Sequence, residues 1–211
     1  MIFGDPEGVN VKIPDTNLRR VCRGEHQARG FSMTELLIVT FILMIVSAMA
    51  IVQLSPSYQQ QEANAAMVMV ASQLRQAREM AMAQRRDIQV QFIGNDQIQL
   101  TRFNLPAGAG QTVLSTVPIQ APVVFMLNPG TPDTPDGFGN AAPIEFGGIA
   151  GGPPTMMFQS DGTFVSGTGV ILNGTVFLGM PNVPAATRAV TVLGATGRIR
   201  MYKANPTGWI Q

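Results

Sequence analysis

The chain has 211 residues, with 14 Lys+Arg, 13 Asp+Glu, one His and one Cys. Charged residues make up 13%, about half the level usual in soluble globular proteins, against 45% hydrophobic residues. This balance suits one domain with an accessory segment and excludes both a disordered chain and a highly charged nucleic-acid carrier.

The charges and reactive side chains are unevenly placed. Cys22 and His26 both precede Gly30, as do five basic and four acidic residues. From Phe31 onward nine basic residues face nine acidic ones, with no His and no Cys. A chain trimmed at Gly30 has no formal net charge and cannot form a disulfide. It also lacks the imidazole and thiolate that serve as general base, nucleophile and zinc ligand. A zinc site, a Cys nucleophile and a Ser–His–Asp triad are therefore excluded from that part. No clustered carboxylates replace them, so neither an enzyme nor a cofactor is expected.

Residues 36–61 carry no charge, and Leu36–Leu54 (LLIVTFILMIVSAMAIVQL) is almost wholly apolar. Nineteen helical residues rise about 28 Å, close to the ~30 Å hydrocarbon thickness of a bilayer. Arg19, Arg20, Arg23 and Arg29 precede the run against Glu25 alone, which predicts a cytoplasmic N-terminus and a span that carries the remainder across. A cleavable secretory signal is the first alternative, but residues 55–61 (SPSYQQQ) offer no small-residue cleavage site after the apolar run.

The informative junction lies before that run, at Arg29-Gly30-Phe31-Ser32-Met33-Thr34-Glu35. This segment resembles a type IV prepilin leader. The resemblance implies cleavage by prepilin peptidase between Gly30 and Phe31, N-methylation of Phe31, and an assembly role for Glu35. In related filaments that glutamate is thought to meet a neighbouring subunit's N-terminal amine. The pairing suits the cost of a carboxylate at the edge of an apolar helix. The other reading of Glu35 places it simply at the headgroup boundary. A leader of 30 residues is long for this class, and a start codon placed too far upstream would also explain the length.

Beyond Pro56, Met67, Val70, Ala71, Leu74, Ala77 and Ala81 follow i, i+3, i+4 spacing, with Gln73, Arg75, Arg78, Glu79 and Arg85 on other faces. The spacing predicts an amphipathic helix over residues 62–86, continuous with the apolar one and with Pro56 as a place to bend. From Asp87 the period becomes two. Ile88–Ile93 and Gln97–Thr101 form a predicted hairpin around Gly94-Asn95-Asp96. Further predicted strands are Thr112–Pro118, Val123–Leu127, Thr155–Gln159, Thr163–Ser166, Val170–Leu172, Thr175–Leu178, Arg188–Leu193 and Arg198–Lys203. Turns are expected at Ser160-Asp161-Gly162, Asn173-Gly174 and Gly194–Gly197. Residues 128–154 hold six Pro and seven Gly, which predicts a long surface loop without regular structure. Asp133 and Asp136 within it only loosely suggest a calcium loop, lacking the ligand spacing.

A long helix followed by short antiparallel strands is the order of an α+β, pilin-like fold. The details resemble the GspH/FimT family of type II secretion minor pseudopilins and type IV minor pilins. The matching pieces are Leu74-Arg75-Gln76-Ala77-Arg78, Phe158–Gly162 and a closing hairpin ending Gly197-Arg198-Ile199-Arg200. The resemblance implies four segments: a leader over 1–30, a transmembrane and filament-core helix over 31–54, its amphipathic continuation over 55–86, and a periplasmic β domain over 87–211. It implies a single-pass bacterial inner-membrane protein whose partners are prepilin peptidase, other pilins or pseudopilins, and secreted cargo.

In a strand, Arg198 and Arg200 share one face, about 7 Å apart, matching successive phosphates along a nucleic-acid strand. In FimT-type minor pilins a Gly-Arg-x-Arg element is associated with DNA binding, so the resemblance extends that role to Arg198 and Arg200. The alternative is that they guard a sheet edge or pair with Asp161 or Glu145.

Overall fold

The computed structural model describes residues 31–106 and 108–211, the side chains of residues 50–56 excepted. The expected leader, with Gly30, lies outside the described residues. The chain divides into two compact units, one ending at Val46 and the other comprising Ser47–Gln211.

Helix α1 spans Met33–Gln84 and continues through Pro56. In the first unit Leu36–Val46 present mostly apolar, exposed side chains. No helix among the described residues is long and apolar enough to cross a membrane. The described side chains of the apolar run stop at Met49, short of the full Leu36–Leu54 stretch.

In the second unit α1 buries Ala63, Ala66, Met67, Val70, Ala71, Leu74, Ala77 and Ala81, the stripe that helical spacing predicts. The helix ends on Arg85, which takes a left-handed conformation (φ 49°), while the Arg86 N–H reaches back to the Ala81 carbonyl at 3.2 Å. This is a Schellman-type stop that satisfies an otherwise orphaned carbonyl.

Among the described residues twelve strands follow: β1 Ile88–Ile93, β2 Gln97–Phe103, β3 Gln111–Pro118, β4 Val124–Phe125, β5 Ile144–Phe146, β6 Ile149–Ala150, β7 Met156–Phe158, β8 Phe164–Ser166, β9 Gly174–Met180, β10 Val183–Leu193, β11 Arg198–Asn205 and β12 Gly208–Ile210. One antiparallel sheet runs β3-β2-β1-β7-β8. The second runs β12-β11-β10-β9-β5-β6, with β4 also paired to β9. Side chains from both sheets and the helix stripe share one core. Phe92, Phe125, Phe146, Phe164 and Phe158 cross it in a chain, with successive ring centroids 5.3, 6.1 (Phe92 to Phe146), 5.4 and 4.7 Å apart. The architecture is α+β, a long N-terminal helix packed on antiparallel sheets.

Three local expectations are corrected. Residues 128–154 are not all irregular: β5 and β6 form a tight hairpin whose turn residues, Gly147 and Gly148, both have positive φ. Ile144, Glu145 and Phe146 are buried there, so the Pro/Gly-rich flanks concealed a core strand. Val170–Leu172 is no strand; only a single bridge joins Ile171 to Val165. Asn173-Gly174 is no hairpin turn. Gly174 opens β9 and lies so close to β5 that a Cβ there would come within 2.2 Å of the Phe146 ring and 2.3 Å of the Glu145 carbonyl. The Asn173 side chain instead accepts the Gly194 N–H at 2.8 Å.

Leu74 is fully buried in the middle of the stripe. Leu74→Ala is expected to lower unfolding stability by about 2–5 kcal/mol, the range for large-to-small core changes. Urea unfolding of the chain in detergent, followed by Trp209 fluorescence, measures it.

Candidate functional site

Two places gather the residues singled out by sequence. At the head of α1, Ser32 accepts the Leu36 N–H on its carbonyl at 3.1 Å, and Phe31 is 77% exposed. Glu35 lies in the first turn, where the free N–H groups and the helix dipole favour a carboxylate. Glu35 is exposed and has no cationic partner among the described residues.

The second place is β11. Arg198 and Arg200 share a parity, as expected, but their environments differ. Arg200 pairs through Nη1 with Asp136 from the Gly/Pro-rich loop. The same carboxylate accepts the Thr191 hydroxyl at 2.6 Å and the Tyr202 hydroxyl at 3.0 Å on Oδ2. Thr191 stands opposite Arg200 in the β10–β11 register, so sheet and loop meet on one carboxylate. The hydrogen bond to Tyr202 and the Asp136 charge hold the Arg200 guanidinium above its usual range. Burial pushes the Tyr202 phenol up. Arg198 is exposed and has no ion pair among the described residues.

The partners named beforehand are engaged elsewhere. Asp161 accepts the Thr163 N–H and hydroxyl at 2.9 and 2.7 Å, which lowers its pKa. Glu145 accepts the Ala141 N–H at 2.8 Å. Asp133 accepts from Thr134 N–H and Gly139 N–H. Both carboxylates of the loosely calcium-like loop are thus spent on the loop's own backbone and on the sheet. Among the described residues no group of three metal-binding side chains exists.

Sequence reading missed two features. Arg188 is 2% exposed; its guanidinium donates to Asn64 Oδ1 at 2.7 Å and to the Thr187 and Ala185 carbonyls at 2.8 and 2.9 Å. Burial lowers its pKa, and its neutral acceptors fasten β10 to α1. The signal for it was one Arg inside the otherwise uncharged run Ala185–Leu193. The second is convergence of the three quoted pieces. Arg78 Nε donates to the Gly162 carbonyl at 3.3 Å, and Gly197 packs against both. A Cβ at Gly197 would lie 2.1 Å from that carbonyl and 2.7 Å from Arg78 Nε, and Gly197 has a positive φ of 61°. Arg75, Arg78, Glu79, Leu193, Arg198 and Ile199 line a groove of about 570 Å³ there.

The raised pKa of Tyr202 fixes the sign of an alkaline effect. The unfolded chain releases this proton first, so stability falls as pH rises above ~10, the unfolded tyrosine value. Tyr202→Phe is expected to flatten that fall and to remove the late component of the tyrosinate absorbance titration.

Residues 26–51 match a sequence profile described as a prokaryotic N-terminal methylation motif. No curated protein matches the chain. Among solved structures, the chain is similar to the minor pseudopilin EpsH from the type 2 secretion system of Vibrio cholerae, at 11% identity and a TM-score of 0.46, over 67% of this chain and 97% of that one. It is also similar to the type IV minor pilin FimU of Pseudomonas aeruginosa in two crystal forms. These have 13% and 14% identity and a TM-score of 0.42 each, over 70% and 72% of this chain and 97% and 95% of those. By its sequence this chain carries a prokaryotic N-terminal methylation motif, set across the start of its long helix.

Proposed function

We propose that the chain is a minor pilin-like subunit of a bacterial filament, most specifically a GspH-like minor pseudopilin of a type II secretion system. The observation that carries this reading is the methylation motif over residues 26–51, with Glu35 in the first turn of α1. Prepilin peptidase cuts between Gly30 and Phe31, and Phe31 becomes the N-methylated terminus. Leu36–Leu54 anchors the precursor in the inner membrane with the β domain in the periplasm, then packs in the filament core beside other pilins. The subunit stands near the filament tip, where it serves secretion of protein cargo without a catalytic step.

Glu35 has a defined task in this scheme. In an apolar filament core an unpaired carboxylate is costly, and an incoming N-terminal amine offsets that cost. The alternative duty, DNA uptake through Arg198 and Arg200 by a FimT-like minor pilin, takes second place for a structural reason. Asp136 already neutralises Arg200, leaving one free guanidinium where the phosphate ladder requires two.

Replacing Gly30 with Leu is expected to leave all of the protein as an unprocessed, membrane-retained precursor; normal trimming by mass spectrometry overturns the assignment. Glu35→Val is expected to be cleaved at the wild-type level yet lost from isolated filaments by at least about tenfold, equivalent to about 1.4 kcal/mol. Full incorporation of that variant overturns the pairing argument.

A further inference from the structure

We propose that the groove between α1 and the free edge of β11 is a docking site for an extended acidic segment of a partner protein. Two independent observations meet there. The first is charge. Arg75 and Arg198 line the groove, are exposed, and have no carboxylate partner among the described residues. Arg78 also lines it. Its Nε is held by the Gly162 carbonyl, and its two Nη groups make no hydrogen bond among the described residues. The close packing of Gly197 and Gly162 around Arg78 fixes that guanidinium rather than leaving it to wander. A planar fork held in this way suits a carboxylate.

The second observation is an unfinished sheet. β12 pairs with β11 only from Lys203 to Asn205, whereas β11 pairs with β10 from Arg198 onward. Between Arg198 and Tyr202 the outer edge of β11 therefore has no strand beside it among the described residues, and alternate residues there direct N–H and C=O groups outward. Ile199 belongs to both features, as a groove-lining residue and as part of the open edge. An extended chain laid along the edge receives main-chain hydrogen bonds, while its acidic side chains meet the arginines.

The occupant's chemistry follows from what else the groove contains. Glu79 stands among the arginines, and Leu193 and Ile199 supply apolar wall. From Phe31 onward basic and acidic residues balance, so no broad basic field draws in a polyphosphate. A strand alternating carboxylates with β-branched side chains matches the mixed lining better than a continuous phosphate backbone does. This site does not depend on the filament assignment.

The test is fluorescence anisotropy with the full chain in detergent micelles. The probe is a short labelled peptide alternating valine with glutamate. A valine–glutamine peptide and a labelled DNA duplex run in parallel. Saturable binding of the acidic peptide is expected, weakened at least about tenfold by Arg75→Gln/Arg198→Gln and by the glutamine peptide. Both arginines are exposed, and unchanged Trp209 fluorescence checks that the double variant is folded. Equal binding of the two peptides, binding unaffected by the double variant, or no peptide binding overturns the proposal. DNA bound in place of the peptide overturns it in favour of a nucleic-acid groove.

Discussion

The C-terminal unit depends on how closely the backbone of α1 approaches its sheets. Alanine occupies positions 63, 66, 71, 77 and 81 of the buried stripe, leaving Met67, Val70 and Leu74 as the bulky contacts. Small side chains bring helix and strands close, and the phenylalanine chain fills the volume between the sheets. Polar contacts follow from that approach. With α1 near β10, Asn64 reaches the buried Arg188; with α1 near the β7–β8 turn, Arg78 reaches the Gly162 carbonyl. A bulkier stripe would move both guanidiniums away from their acceptors.

Charge is scarce in this chain, and the fold spends much of it internally. Arg188 is a clamp satisfied by neutral oxygens, and Arg200 is tied to Asp136. Asp133 and Asp161 cap backbone N–H groups within their own loops, and Glu145 of β5 caps that of Ala141. With these groups engaged, exposed arginines gather near the C-terminal end of α1 and the start of β11. At the other end of the helix, Glu35 has no cationic partner among the described residues. The two functional readings therefore rest on opposite ends of α1 and on opposite signs of charge.

The helix stripe and the β1–β2 hairpin were legible because their periods of 3.6 and two are local, and a single buried face enforces each. The methylation motif was legible because it occupies one contiguous run, residues 26–51. Other features depend on distance in the chain. Asp136 lies 64 residues from Arg200, and no local pattern links them. Parity correctly put Arg198 and Arg200 on one face, yet it carries no information on which loop folds over that face. β5 was hidden because three buried residues, Ile144–Phe146, are too few to show a period, and glycines and prolines surround them. Gly174 was misread because glycine serves two purposes. Here it permits close approach to Phe146 rather than a turn, and only the neighbouring strand distinguishes the two.

The contact of Gly197 with Gly162 and Arg78 also limits how this surface can change. A carbon restored at 197 would strike both a carbonyl and a guanidinium. Position 78 is therefore locked to the scaffold, while positions 75 and 198 stand clear of it. Divergence among descendants of this chain would alter ligand preference by exchanging those two outer side chains, as interchangeable bits on a handle whose grip stays constant.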